Sequence, residues 1–133
     1  MRMQLTKDSI DLGIVSRDPA ASLAFYRDVL GFEDLGTSPI PWGTLHRLRC
    51  GGSHIKIVTL AEPDVPSAPA GGLAGATGYR YWTMSVADLE AVVQACRDAG
   101  RPIAVEPVEV RPGVRIAMVE DPDGNWVEFL SHG

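Results

Sequence analysis

Asp11, Lys56, Tyr81 and Glu128 are the residues of this chain best suited to chemistry on a small molecule. Two carboxylates, an ammonium and a phenol can neutralise one another, polarise a carbonyl oxygen, or take a proton from an acidic C–H. Strand parity is what groups them. Side chains on a strand alternate faces with a period of two, so each extended segment divides into two rows. Leu12 and Ile14, Ile55 and Ile57, Trp82, Met84 and Val86, and Val127 and Phe129 are uniformly apolar rows, suited to a core under helices. The opposite rows hold Asp11 and Gly13, then His54, Lys56 and Val58, then Tyr81, Thr83 and Ser85, then Trp126, Glu128 and Leu130. A curved sheet makes such groups converge, and convergent polar groups in an apolar-walled concavity form a ligand site.

His54, Thr83 and Trp126 join the substrate-binding candidates because they share those rows. His46 is a further candidate on a less informative strand: it shares a row with Thr44 and Leu48, while Arg47 and Arg49 share the other, and neither row is purely apolar. Parity leaves open which of the two faces the cup. Trp42, between Pro41 and Gly43, reads either as an aromatic on the rim or as a core plug.

The elements that must position these groups come from an internal duplication at an offset of about 70 residues. Asp18, Ala21, Arg27 and Asp28 match Asp88, Ala91, Arg97 and Asp98. Each Asp stands where it can cap a helix. In the first copy Pro19 follows in the first turn, Leu23, Tyr26 and Leu30 recur on one face, and Gly31 ends the pattern. In the second, Leu89, Val92, Val93 and Cys96 form the face, with Gly100 and Pro102 as the stop. Strands are predicted over 9 to 15, 44 to 50 and 54 to 60 in the first unit. The second unit has them over 80 to 86, 104 to 110, 114 to 119 and 126 to 130, with a turn at Asp121-Pro122-Asp123-Gly124. The expected organisation is a single domain with module one at about 9–60, a linker at 61–78 and module two at about 79–131. The linker is rich in Pro, Ala and Gly, and it could fold over the site.

Composition narrows the partners. With 133 residues, 45% of them apolar, the chain can bury one real core. Seventeen acidic against twelve basic residues leave a net charge of -5, with no basic stripe for nucleic acid or an anionic membrane. No apolar run approaches the ~20 residues of a bilayer span, and the start lacks an apolar signal segment, so a cytoplasmic location is expected. Cys50 and Cys96 lie in no metal-binding pattern and read as small buried hydrophobes. No phosphate loop or dinucleotide fingerprint occurs. The expected partners are a small organic substrate or ligand and a second copy of the chain, as a homodimer.

Three segments together carry a family resemblance: Ile10-Asp11-Leu12-Gly13-Ile14-Val15 leading to Asp18, Leu23-Ala24-Phe25-Tyr26-Arg27-Asp28-Val29-Leu30-Gly31-Phe32, and Val119-Glu120-Asp121-Pro122-Asp123-Gly124-Asn125-Trp126-Val127-Glu128-Phe129. With them the chain resembles the vicinal oxygen chelate superfamily of glyoxalases, bleomycin-binding proteins and extradiol dioxygenases. The resemblance implies an α+β fold, two βαβββ modules whose curved mixed sheet forms a cup with helices outside. It also implies that the four metal-ligand positions of metal-dependent members fall at Asp11, Lys56, Tyr81 and Glu128. Only Glu128 keeps a usual ligand type there, and an ammonium at Lys56 cannot ligate and repels a cation. The expectation is therefore no metal and no other cofactor. If Lys56 stands between Asp11 and Glu128, its charge takes over part of the metal's work, and one carboxylate is free as general base. The activity this suggests is that of a glyoxalase-like lyase or isomerase, shifting a proton next to a carbonyl. Three alternatives stay open: a structural ion-pair network on the cup floor, a metal-free binding or resistance protein, and metal-dependent catalysis using Asp11, Glu128 and His46 or His54.

Overall fold

In the computed structural model, which describes residues 1–62 and 64–133, two four-stranded sheets repeat one plan. The first contains β1 (Leu12–Val15), β2 (Glu33–Ile40), β3 (Gly43–Cys50) and β4 (Ser53–Leu60) in the order β1-β4-β3-β2. The second contains β5 (Tyr81–Ser85), β6 (Ile103–Arg111), β7 (Val114–Glu120) and β8 (Trp126–His132) in the order β5-β8-β7-β6. In each, the first strand runs parallel to the last and the other pairings are antiparallel. This is the α+β arrangement of two βαβββ units. Pro63, within the expected linker, lies outside the described residues.

Helix α1 starts at Pro19–Leu23, and α2 spans Leu89–Asp98. The duplicated aspartates cap both: Asp18 accepts from the Ala21 amide and Asp88 from the Ala91 amide, each at 3.1 Å. Gly31 and Gly100 occupy equivalent ends with φ of 82° and 79°, values that L side chains rarely adopt. One expectation needs correcting here. The first helix is not α-helical throughout but continues as a π-helical turn over Ala24–Val29, with the Leu30 amide bonded to the Phe25 carbonyl. Phe25 and Tyr26, adjacent in sequence, are both buried within that turn.

The apolar rows do pack beneath the helices. Ile14, Ile55, Ile57, Val127 and Phe129 are buried in one cluster with Phe25, Tyr26, Leu89, Val93 and Cys96, and Leu12, Trp82, Met84 and Val86 pack against it. Burial raises the Cys96 thiol to about 11, as expected for a thiol serving as a small hydrophobe.

A buried polar knot joins the two modules. Asp121, at the turn before β8, accepts from the Tyr26 phenol at 2.6 Å and from the Asp123 and Asn125 amides at 2.9 and 2.8 Å. Asp123 in turn accepts from the Ser16 and Ser22 hydroxyls at 2.7 and 3.1 Å and from the Arg17 amide at 3.1 Å. Burial and the Asp121 charge hold the Tyr26 pKa well above the usual phenol value, so it remains a donor.

Candidate functional site

Register fixes which groups share the face opposite the helices. On the first sheet Gly13 lies beside Lys56 and Lys56 opposite Arg47, while His54 faces Arg49 and Val58 faces Leu45. His46 pairs with Ile57 and Leu48 with Ile55, both on the core side. The parity question on β3 is thereby resolved: Arg47 and Arg49 belong to the concave row and His46 does not. His46 instead bonds Asp34 at 2.7 Å, so its placement in the substrate site is corrected. Trp42 is 62% exposed in the β2–β3 turn, which excludes the core-plug reading; like His54, Lys56, Thr83 and Glu128, it does not line the cavity described below.

On the second sheet Thr83 lies beside Glu128, and Glu128 opposite Met118. The Thr83 hydroxyl donates to Glu128 Oε1 at 2.6 Å. Among the described residues Glu128 Oε2 has no partner. Val114, Ile116 and Met118 form a second small apolar cluster on this concave side, with Val105, Trp126 and Leu130 packed against them. Both faces of β7 are therefore apolar, a feature that a turn-and-row reading of β5 and β8 alone does not reveal.

The ionic arrangement also differs from the expected one. Lys56 makes no ion pair among the described residues, and neither Asp11 nor Glu128 is joined to it. Asp11 precedes β1 and is taken by the Lys7 ammonium at 2.7 Å and the His54 amide at 2.8 Å. Those two contacts, the amide first, hold its carboxyl down to about 2. Because folding depresses this pKa, the stability Asp11 contributes is full above its ordinary value of 3.8 and is lost as pH falls toward 2. The stability difference between wild type and Asp11→Asn is expected to be largest above pH ~4 and to close on acidification. Urea titrations at a series of pH values measure it, and a gap that widens below pH ~4 would contradict the arrangement.

Between the edges of β1 and β5 lies a cavity of about 780 Å³. Asp11, Gly13 and Val15 line one side, Tyr81, Trp82 and Trp126 the other, and linker residues 65–68 close part of its mouth. The linker is pinned in its middle: Arg17 donates to Ser67 at 2.5 Å, and Arg80 to the carbonyls of Gly72 and Pro69, each at 2.7 Å. Lys56 and Glu128 stand one strand in from this gap, beside Gly13 and Thr83 respectively.

A divalent metal does not fit the four equivalent positions. Among the described residues no group of three His, Cys, Asp or Glu side chains is arranged to hold one. Asp11 is spent on Lys7 and an amide, Lys56 is a cation, and Tyr81 is a phenol 47% exposed.

This geometry agrees with the comparisons to known proteins. The model of the glyoxalase/bleomycin resistance protein/dioxygenase superfamily matches residues 9–129. The chain belongs to that superfamily. Among its relatives, a lactoylglutathione lyase of Haemophilus influenzae is 33% identical, over 98% of this chain and 93% of the relative. A glyoxalase family protein from Bacillus cereus superposes with a TM-score of 0.83 at 14% identity, covering 98% of this chain and 97% of its own. TnmS3, an antibiotic binding protein from a Streptomyces strain, superposes with a TM-score of 0.72 at 20% identity, covering 98% and 100%. The two structural likenesses speak for the fold alone. No helix among the described residues is long and apolar enough to cross a membrane.

Within this superfamily member, the residues that sequence reasoning left aside are Arg47, Met118 and the Ser16–Ser22–Asp123 knot. The signal for Arg47 was present in the alternation of β3, but only pairing with β4 decides its sense.

Proposed function

We propose that this glyoxalase-superfamily protein is a lyase or isomerase that moves a proton at a carbon next to a carbonyl, without a metal and as a homodimer. The observation that carries the reading is Glu128: Thr83 fixes one carboxylate oxygen and leaves the other unpartnered on an apolar concave face. A carboxylate oriented in this way is a general base awaiting an acidic C–H. Tyr81 is on the same row of β5 as Thr83 and is the hydroxyl available to donate to the developing enolate oxygen. The lyase among the relatives supports the reaction class.

The test is solvent exchange. Incubated in D2O with a panel of α-hydroxy and α-thio carbonyl compounds, the protein should catalyse deuterium incorporation at the α carbon, followed by proton NMR. Saturable binding without exchange across the panel would replace this reading with sequestration. The apolar cluster of Val114, Ile116 and Met118 favours that second function by offering a surface for an aromatic ligand.

What supports the dimer is the pair of open edges. β2 and β6, at the ends of the two sheets away from the cavity, each have one hydrogen-bonded neighbour, and Leu35, Val108 and Val110 are exposed on them. Unpaired edges bearing large apolar groups call for cover, and a second copy supplies it. Sedimentation velocity should find a dimer at micromolar concentration; a monomer there would overturn this part.

A further inference from the structure

Lys56 and Arg47 stand directly opposite each other on β4 and β3, on the concave face. Like charges so placed repel and destabilise the strand pair unless a counter-charge offsets it. The neighbouring carboxylates do not supply it. Glu33 is engaged by Arg49 at 2.7 Å, Asp34 by His46 and by the Gly36 amide, and Asp11 by Lys7 and the His54 amide. Among the described residues neither Lys56 nor Arg47 has a hydrogen-bond or ion-pair partner. Two half-buried cations therefore share a face on which the carboxylates of their own sheet, Glu33, Asp34 and Asp11, are already committed.

The surroundings give the pair a direction. Beside Lys56 on β1 is Gly13, where a Cβ would meet nothing within 4 Å, so the space next to the ammonium is open. Gly13 is also a wall of the cavity whose far side carries Tyr81, Trp82 and Trp126; Lys56 and Arg47 do not line that cavity themselves but continue the concave face from Gly13, one and two strands in. Val58 and Leu45 continue the concave row on β4 and β3 as apolar neighbours.

We propose that Arg47 and Lys56 form an oxyanion subsite, and that the cavity ligand is an aromatic organic acid whose acid group sits on these cations while its rings lie toward Tyr81 and Trp126. Arg47 gives a planar fork of donors and Lys56 a compact point charge, a combination suited to a carboxylate or sulfonate. The inference is independent of Glu128 as a base, because it concerns binding alone.

The experiment uses a matched pair of dyes: 1-anilinonaphthalene-8-sulfonate and its neutral counterpart N-phenyl-1-naphthylamine, which lacks the sulfonate. Fluorescence titration of the wild-type protein should show the sulfonate bound at one per cup, at least about tenfold tighter than the neutral dye, and weakening with salt. Arg47→Met and Lys56→Met should each lose about tenfold for the sulfonate and leave the neutral dye unchanged, while Lys56→Arg retains binding. Both Met variants should melt no lower than wild type, since each removes a repulsion. Absence of sulfonate binding, equal affinity for the two dyes, or Met variants that bind the sulfonate as wild type does would overturn the proposal. Neither dye has a carbonyl to turn over, so these outcomes say nothing against the proton-transfer reading, and failure of deuterium exchange says nothing against the subsite.

Discussion

Replacing Asp121 by alanine is expected to cost about 3 to 5 kcal/mol of folding stability, the largest single-residue effect outside the apolar core. Asp121 is 1% exposed and accepts four hydrogen bonds: from the Tyr26 phenol, the Asp123 and Asn125 amides, and the Asn125 side chain at 3.0 Å. Alanine strands the phenol of a fully buried tyrosine and frees the amides that shape the turn entering β8. Each stranded buried donor costs about 1 to 3 kcal/mol, and the members of one network do not add in full. The effect should also reach module one, because the same turn places Asp123 against Ser16 and Ser22. With an unfolding entropy of about 2.1 cal/mol/K per residue, a loss of this size lowers Tm by on the order of 10 °C. Tyr26→Phe should cost only about 1 to 2 kcal/mol, since Asp121 keeps its amide donors. Thermal and urea unfolding of the two variants measure the contrast. A smaller loss for Asp121→Ala than for Tyr26→Phe would mean that the turn holds its shape without the carboxylate.

How far the sequence carried can be judged from particular residues. Row parity placed Ile14, Ile55, Ile57, Val127 and Phe129 under the helices, because burial on one face of a strand leaves a period of two in the residue types. The duplicated aspartates marked both helix starts for an equally local reason, the need of the first-turn amides for an acceptor. Glu33–Ile40 escaped notice as a strand. It is an exposed edge carrying Gly36 and Pro39, with a register shift between Asp34 and Thr37, so it shows neither alternation nor β-propensity. Burial by tertiary contact was equally hidden. The role of Asp121 as acceptor for Tyr26 spans 95 residues, and within the turn alone it reads as ordinary turn chemistry. For the site, the rows of Lys56, Tyr81 and Glu128 were legible, but their partners were not. A row states which way a side chain points, whereas the identity of its partner depends on what the neighbouring strand and the chain start bring alongside. Lys7 reaching Asp11, and Thr83 reaching Glu128, are contacts of that second kind.

Glu128→Gln is expected to reduce proton transfer by about 10² to 10⁴ while leaving ligand affinity and Tm close to wild type. The substitution is nearly isosteric, and its amide oxygen can still accept from the Thr83 hydroxyl that now bonds Oε1 at 2.6 Å, so the side chain should stay in place. What it loses is the second, unpartnered oxygen able to take up a proton. A loss of that size raises the barrier by about 3 to 5 kcal/mol, more than a hydrogen-bonding or packing contact at a half-buried position usually supplies. Thr83→Val serves as the positioning control: it keeps the carboxylate but frees its orientation, so a smaller fall in rate is expected, with binding again unaffected. Deuterium incorporation at the α carbon and equilibrium binding of the same compound, measured side by side, separate base from binder. If Glu128 is the base, exchange collapses in Glu128→Gln and binding persists; if the cup only holds its ligand, there is no exchange to lose and both proteins bind alike. Exchange at the wild-type rate in Glu128→Gln would remove Glu128 from the chemistry and leave the proton to another group on the concave face.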